Sequence, residues 1–177
     1  MNTSLLINRE DLIQTVKLIE NSIDINLFGM GSSLLVAKDM RQKFIRVNKK
    51  LNVDDDWHMQ YLSAKNSDNK SLAIIFSYSG DTEEMIECNK ALREAGTKII
   101  LITGFLNSYL ARNSDIVLQV APIENIFRMG AFSSRISQLF IVDLIYSLYI
   151  NRNYEDSLEK IIGNFIEKGV NSNEKSV

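Results

Sequence analysis

The sequence predicts an α/β fold built around a parallel sheet. Two observations carry this. Short apolar runs rich in β-branched residues recur along the middle of the chain, and longer helical patterns separate them. Most of these runs are apolar without alternation, the pattern of strands covered on both faces. Strands separated by helices then pair in parallel through right-handed crossovers. The 177 residues suit one domain.

The elements follow in order. Residues 9–20 place Leu12, Val16 and Ile19 on one helical face. Residues 24–28 (DINLF) are a short strand that ends at Gly29. A helix over 34–44 follows a Gly-x-Gly turn, with Ser32 or Ser33 available as its cap. Residues 45–51 (IRVNKKL) are a weaker strand candidate, polar enough for a sheet edge. Asp54-Asp55-Asp56 supplies capping chemistry for a helix over 57–64. Residues 71–76 (SLAIIF) form a buried strand. The helix over 83–95 aligns Met85, Cys88, Leu92 and Ala95, and Gly96 suits the C′ position. Residues 98–102 and 116–120 are two further strands, with a short helix capped by Ser108 between them. Residues 136–150 (ISQLFIVDLIYSLYI) are apolar almost all round, which suits a central helix or one pressed against a partner subunit. The chain thus divides into a helical segment over 1–22, a core over 23–150, a closing helix over 151–170 and a disordered polar tail over 171–177.

Composition removes several function classes. Net charge is −2, which argues against a nucleic-acid-binding module, since such domains carry a basic face. The single Cys88 excludes an intrachain disulfide framework and a cysteine-rich zinc site. The single His58 excludes a multi-histidine metal centre within one subunit. No apolar run approaches the roughly 18 residues that span a bilayer, and no signal peptide is visible. A soluble cytoplasmic protein without metal or cofactor is the expectation.

In open α/β sheets ligands bind beyond the carboxyl ends of the strands. Two strand ends here carry unusual loops: Gly29-Met30-Gly31-Ser32-Ser33 and Ser77-Tyr78-Ser79-Gly80-Asp81-Thr82. Both lead into a helix. Glycines let the backbone turn tightly, hydroxyls supply neutral donors, and the helix N-terminus favours an anion. These are the ingredients of a phosphate cradle. Neither loop is a Walker A loop, and Leu34 stands where a dinucleotide fingerprint needs its third glycine. The Gly-x-Gly loop alone is equally consistent with a tight turn.

The Ser-x-Ser-Gly-x-Thr loop after a buried strand, together with Gly-x-Gly-x-Ser after an earlier one, resembles the SIS (sugar isomerase) domain. The resemblance runs over about 23–150 and includes Thr103, Ser108 and the strand near Asp115. It implies a three-layer sandwich with a five-stranded parallel sheet of order 2-1-3-4-5, a sugar phosphate ligand, and a dimer or tetramer. Asp56-Trp57-His58, Ser77-Tyr78-Ser79-Gly80 and the segment Gly130-Ala131-Phe132-Ser133-Ser134-Arg135-Ile136 resemble the sugar-sensing domain of RpiR-type bacterial transcription regulators. Those carry a helix-turn-helix domain ahead of the sensing domain. The segment before the first strand is too short for one, so the chain is either an excised effector domain or a stand-alone relative. DNA is then reached only through a helix-turn-helix domain that this chain lacks.

Carried over position by position, the resemblance assigns Ser77, Ser79 and Thr82 to the phosphate, with Ser32 and Ser33 from the first loop. His58 falls at the sugar end, and Glu124, in the loop after the last strand, is placed to accept sugar hydroxyls. Asp54-Asp55-Asp56 is read as capping rather than metal binding, and Cys88 as a core thiol. An aldose–ketose isomerase needs a positioned base. The similar 6-phospho-3-hexuloisomerases carry a glutamate where this chain has Arg135, and a guanidinium cannot serve as that base. The expectation is a non-catalytic sensor. The alternative is a sugar-phosphate isomerase with Glu124 or His58 as base.

Overall fold

The computed structural model describes residues 6–121 and 132–164, and of Phe132 and Ser133 the backbone only. Five strands, β1 (Ile25–Gly29), β2 (Asn52–Val53), β3 (Leu72–Phe76), β4 (Lys98–Thr103) and β5 (Ile116–Gln119), form one sheet of order β2-β1-β3-β4-β5. Every pairing is parallel. Seven helices are described: α1 (Arg9–Asn21), α2 (Gly31–Ile45), α3 (Trp57–Lys65), α4 (Glu83–Glu94), α5 (Tyr109–Arg112), α6 (Phe132–Arg152) and α7 (Tyr154–Gly163).

The strand sequences show why the sheet sits between two helical layers. All five residues of β1 and of β3 are buried, so successive side chains enter opposite cores. Ile74 and Phe76 join Val16, Met40, Phe44 and Val142 under α1, α2 and α6. Ala73 and Ile75 join Met85, Cys88, Leu92 and Leu110 under α3, α4 and α5. Phe44 meets Tyr146 and Tyr149 edge-on at 5.4 and 5.1 Å, which fixes α2 against α6. Lys43 adds an ion pair across the same seam to Asp143 at 2.9 Å.

Two expectations need correction. The edge strand is Asn52–Val53, not 45–51. Helix α2 continues through Ile45, and Asn48 with φ 56° breaks any extended run there. Asn52 Nδ2 instead donates to Asp24 and Asn26, which holds the short strand against β1. Neither Ser32 nor Ser33 caps α2, because the helix begins at Gly31 with Met30 in the cap position and no side-chain cap. The helix over 136–150 lies within α6, which buries one face and exposes Ile136 and Phe140 on the other. Within the expected closing segment the described residues hold the end of α6 and α7.

Candidate functional site

Strands β1 and β3 lie side by side with Gly29 opposite Phe76, so the two serine-containing loops leave the sheet at the same edge. This is the point where the strand order reverses, with β2 on one side and β4 on the other. The N-termini of α2 and α4 therefore open next to each other.

The loop after β3 gathers its hydroxyls. Ser77 Oγ lies 3.1 Å and Ser79 Oγ 3.5 Å from Thr82 Oγ1. Thr82 is the N-cap of α4, yet its side chain makes no capping bond to the helix. The first backbone bond of α4 runs from Ile86 N–H to Thr82 O, so the N–H groups of the first turn have no intrahelical acceptor. Three hydroxyls beside these N–H groups form a nest of neutral donors for an anion. The loop is held rigidly. Gly80 N–H donates to Ser77 Oγ at 3.2 Å, and Gly80 O accepts from Leu110 N–H at 3.0 Å. Gly80 has φ +68°, and a Cβ there would sit 2.0 Å from Ser108 Oγ. Thr103 Oγ1 donates to Tyr78 O at 3.1 Å, and Asp81 accepts from Tyr109 N–H at 2.7 Å. The β4–α5 segment thus braces the cradle from below.

The loop after β1 is built by close approach. A Cβ on Gly29 would lie 3.1 Å from Leu34 N and from Ser33 C, so any side chain there would push the first turn of α2 off the strand end by a few tenths of an ångström. No acidic residue occupies that turn, whereas α4 carries Glu83 and Glu84. The α2 terminus is therefore the less opposed of the two for an anion. Ser33 is buried and donates to Gln138 Oε1 on α6 at 3.2 Å, and Ser32 is half-buried in the same turn. Gln60, 1 % exposed, accepts from Gly29 N–H and donates to the carbonyls of Gly29 and Asp54 at 3.0–3.1 Å. It ties β1, α3 and the chain after β2 together.

The remaining expected residues are spread more widely. His58 is exposed in the first turn of α3, its ring edge-on to Trp57 at 6.4 Å, with no hydrogen bond among the described residues. Glu124 lies outside the described residues. Arg135 is half-buried in α6. The three consecutive aspartates have separate partners. Asp54 accepts from Ser63, Asp55 pairs with Lys38, and Asp56 caps α3 through Met59 N–H at 3.1 Å. Cys88 is buried, and burial, with Glu87 and Glu84 nearby, pushes its thiol up to about 12, so it stays an unreactive core group. A groove of about 500 Å³ between α3 and α4 is lined by Trp57, Glu83, Glu84, Ile86, Glu87 and Lys90. Three carboxylates in its wall disfavour a phosphate there.

Gln60 and Gln138 carry weight that the sequence did not announce. Their partners lie 31 and 105 residues away. A glutamine inside an amphipathic helix gives no local signal of such a bond.

The fold is a five-stranded parallel α/β domain with two glycine- and serine-containing loops at the point where the strand order reverses. Residues 17–148 match the SIS domain family, and the chain belongs to it. An uncharacterised HTH-type transcriptional regulator of Caldanaerobacter subterraneus is 36% identical over 155 residues, which cover 88% of this chain and 55% of the relative. The chain thus spans about half the length of that regulator. Among solved structures, Vibrio vulnificus NanR in complex with ManNAc-6P superposes with a TM-score of 0.84 at 26% identity, covering 91% of this chain and 61% of that one. The sugar isomerase domain of an RpiR transcription factor from Sphaerobacter thermophilus superposes with a TM-score of 0.81 at 18% identity, covering 91% and 88%, a likeness of fold.

Proposed function

We propose that this chain is a phosphosugar-sensing domain of the RpiR type that binds its ligand without converting it. One observation carries the reading: the Ser77, Ser79 and Thr82 hydroxyls converge at the uncapped N-terminus of α4, beside the acid-free N-terminus of α2. The phosphate sits between the two helix ends, with Ser32 and Ser33 contributing from α2. The sugar extends toward His58 at the start of α3 and toward Glu124. Residues 1–170 act as one sensing domain. The likeness to NanR with ManNAc-6P supports a sugar 6-phosphate as ligand class.

The domain works as a homo-oligomer in the cytoplasm. It reaches DNA only through a helix-turn-helix domain of the kind its relatives' names describe. No helix among the described residues is long and apolar enough to cross a membrane. Ligand in the cradle shifts the domain between arrangements, which requires unequal affinity for the two. Arg135 in place of the expected glutamate base supports sensing over isomerisation.

A thermal-shift panel of sugar 6-phosphates and the matching free sugars tests the reading. At about 100 Kd, ligand linkage contributes about 2.7 kcal/mol, a melting shift of roughly 5–10 °C for a domain of this size. The unphosphorylated sugars should shift it far less. Equal shifts from both sets would remove the phosphate cradle from the site.

A further inference from the structure

The first turn of α2 contains a buried polar pair with an unmet need. Ser33 Oγ donates to Gln138 Oε1 over 3.2 Å. Gln138, on α6, is 1 % exposed, and its Nε2 is buried without a hydrogen-bond partner among the described residues. Buried N–H groups without an acceptor are rare and costly, more so than carbonyls in the same position. Something about this place tolerates the cost.

A serine hydroxyl has one proton. While that proton lies on Gln138 Oε1, Ser33 presents lone pairs to an incoming anion, and lone pairs repel it. Rotation of the amide by about 180° around its last torsion, a soft two-fold coordinate, reverses the pair. Nε2 then donates to Ser33 Oγ, and the serine proton is free to donate to the anion. The unmet group changes from a donor to a carbonyl acceptor, which interiors tolerate better.

We infer that Gln138 is the positioning residue for Ser33, and that an anion at the α2 N-terminus draws its amide from the accepting to the donating orientation. The inference rests on the phosphate reading above. It adds a direct link from the ligand to α6, the helix whose outer face exposes Ile136 and Phe140. Occupancy of the cradle is thereby registered on the helix that carries an unpartnered apolar surface.

Isothermal titration with inorganic phosphate and with D-glucose 6-phosphate tests this on wild type, Gln138→Met, Gln138→Glu, Ser33→Ala and the Ser33→Ala/Gln138→Met pair. Gln138→Met keeps the volume and removes both the acceptor that holds the Ser33 proton at rest and the donor that replaces it. It should tighten binding about threefold to tenfold, because the anion no longer competes with Gln138 Oε1 for that proton. Gln138→Glu, once ionised, accepts from Ser33 without donating and sets a like charge near the anion, and it should weaken binding most at high pH, where burial no longer keeps the carboxyl protonated. In the Ser33→Ala background Gln138→Met should add nothing, because the two act as a unit. The Gln138 side-chain NH₂ pair, assigned by NMR in the wild type, should shift on saturation with phosphate, and this arm decides the matter should the variants fail to fold. A purely structural glutamine gives the opposite pattern: a lowered melting temperature in Gln138→Met, unchanged affinity, and an unmoved NH₂ pair, which would overturn the inference. Loss of binding in Thr82→Val with unchanged affinity in Gln138→Met sinks the positioning role alone. A wild type that binds neither probe sinks the phosphate reading with it.

Discussion

Thr82 occupies the N-cap position of α4 but leaves the capping bond unmade, its hydroxyl turned instead to Ser77 and Ser79. A threonine that only capped the helix would bond the backbone two or three residues on. Thr82→Val removes the hydroxyl and nearly keeps the shape. Affinity for the stabilising sugar phosphate should fall by about 1.5–3 kcal/mol, the range for a hydrogen bond to a charged group, which is roughly tenfold to a hundredfold. Cys88→Ser, in the core beneath the same helix, should leave affinity unchanged. Calorimetric titration of both variants checks this, and equal affinity in wild type and Thr82→Val would remove the loop from the site. Gly80 makes a second residue-scale case. Its φ of +68° and the 2.0 Å approach of Ser108 Oγ leave no place for a methyl group. Gly80→Ala should destabilise by about 2–4 kcal/mol. Ser108→Gly in the same chain should recover only part, because it relieves the clash and not the backbone strain. Full recovery in urea unfolding would show that the backbone angle costs little.

The elements divide by how local their causes are. Asp56 caps α3 and Ser108 caps α5, as their positions before apolar helical patterns suggest. The central strands were legible because both faces are covered, so each reads as an unbroken apolar run. The edge strand was not. Val47 and Leu51 are core residues, but Val47 reaches the core from the turn after α2 and Leu51 from the position just before β2. The two residues that pair, Asn52 and Val53, are held partly by side-chain bonds from Asn52 to Asp24 and Asn26, a cause with no sequence period. The Ser77 loop was legible for the opposite reason, since its donors lie within six residues of one another. Its counterpart at α2 depends on Gln138, far along the chain, and was legible only as a glycine-serine turn. Asp115 joins two elements and carries a pH dependence. Its carboxylate accepts from Lys98 and from Ile99 N–H, both at 2.9 Å, which ties the start of β5 to the start of β4. Burial raises its pKa, but the Lys98 and Ile99 hydrogen bonds and the charges of Lys98 and Arg93 outweigh that and hold it below the usual carboxylate value. A lowered folded pKa stabilises above the unfolded value near 3.9, and the contribution is lost as pH falls through the folded value. Asp115→Asn should cost about 1–2 kcal/mol at pH 7 and flatten the loss of stability below about pH 4. An acid-unfolding curve with unchanged steepness would show that other carboxylates carry that dependence.

At the scale of the whole molecule, α2 and α6 expose large apolar side chains on their outer sides. Leu35, Ile136 and Phe140 are 50%, 52% and 39% exposed on two helices that pack against each other. A face of this kind marks an interface. We expect a homodimer or larger closed oligomer burying more than about 1,200 Å² in total. Ile136→Asp with Phe140→Asp should shift it toward monomer in light scattering at tens of micromolar. A monomeric wild type under those conditions would overturn the expectation.

The central claim is that a complete phosphate cradle operates here without an isomerase's base. Incubation of the protein in D₂O with the sugar 6-phosphate that stabilises it most, followed by proton NMR of the sugar, tests that claim directly. The account predicts a saturable melting shift, with no ketose–aldose interchange and no exchange of the C1 or C2 proton. Interchange or exchange at an ordinary enzymatic rate, about 1 per second or faster, would contradict it and make His58 and Glu124 the first residues to test as the base.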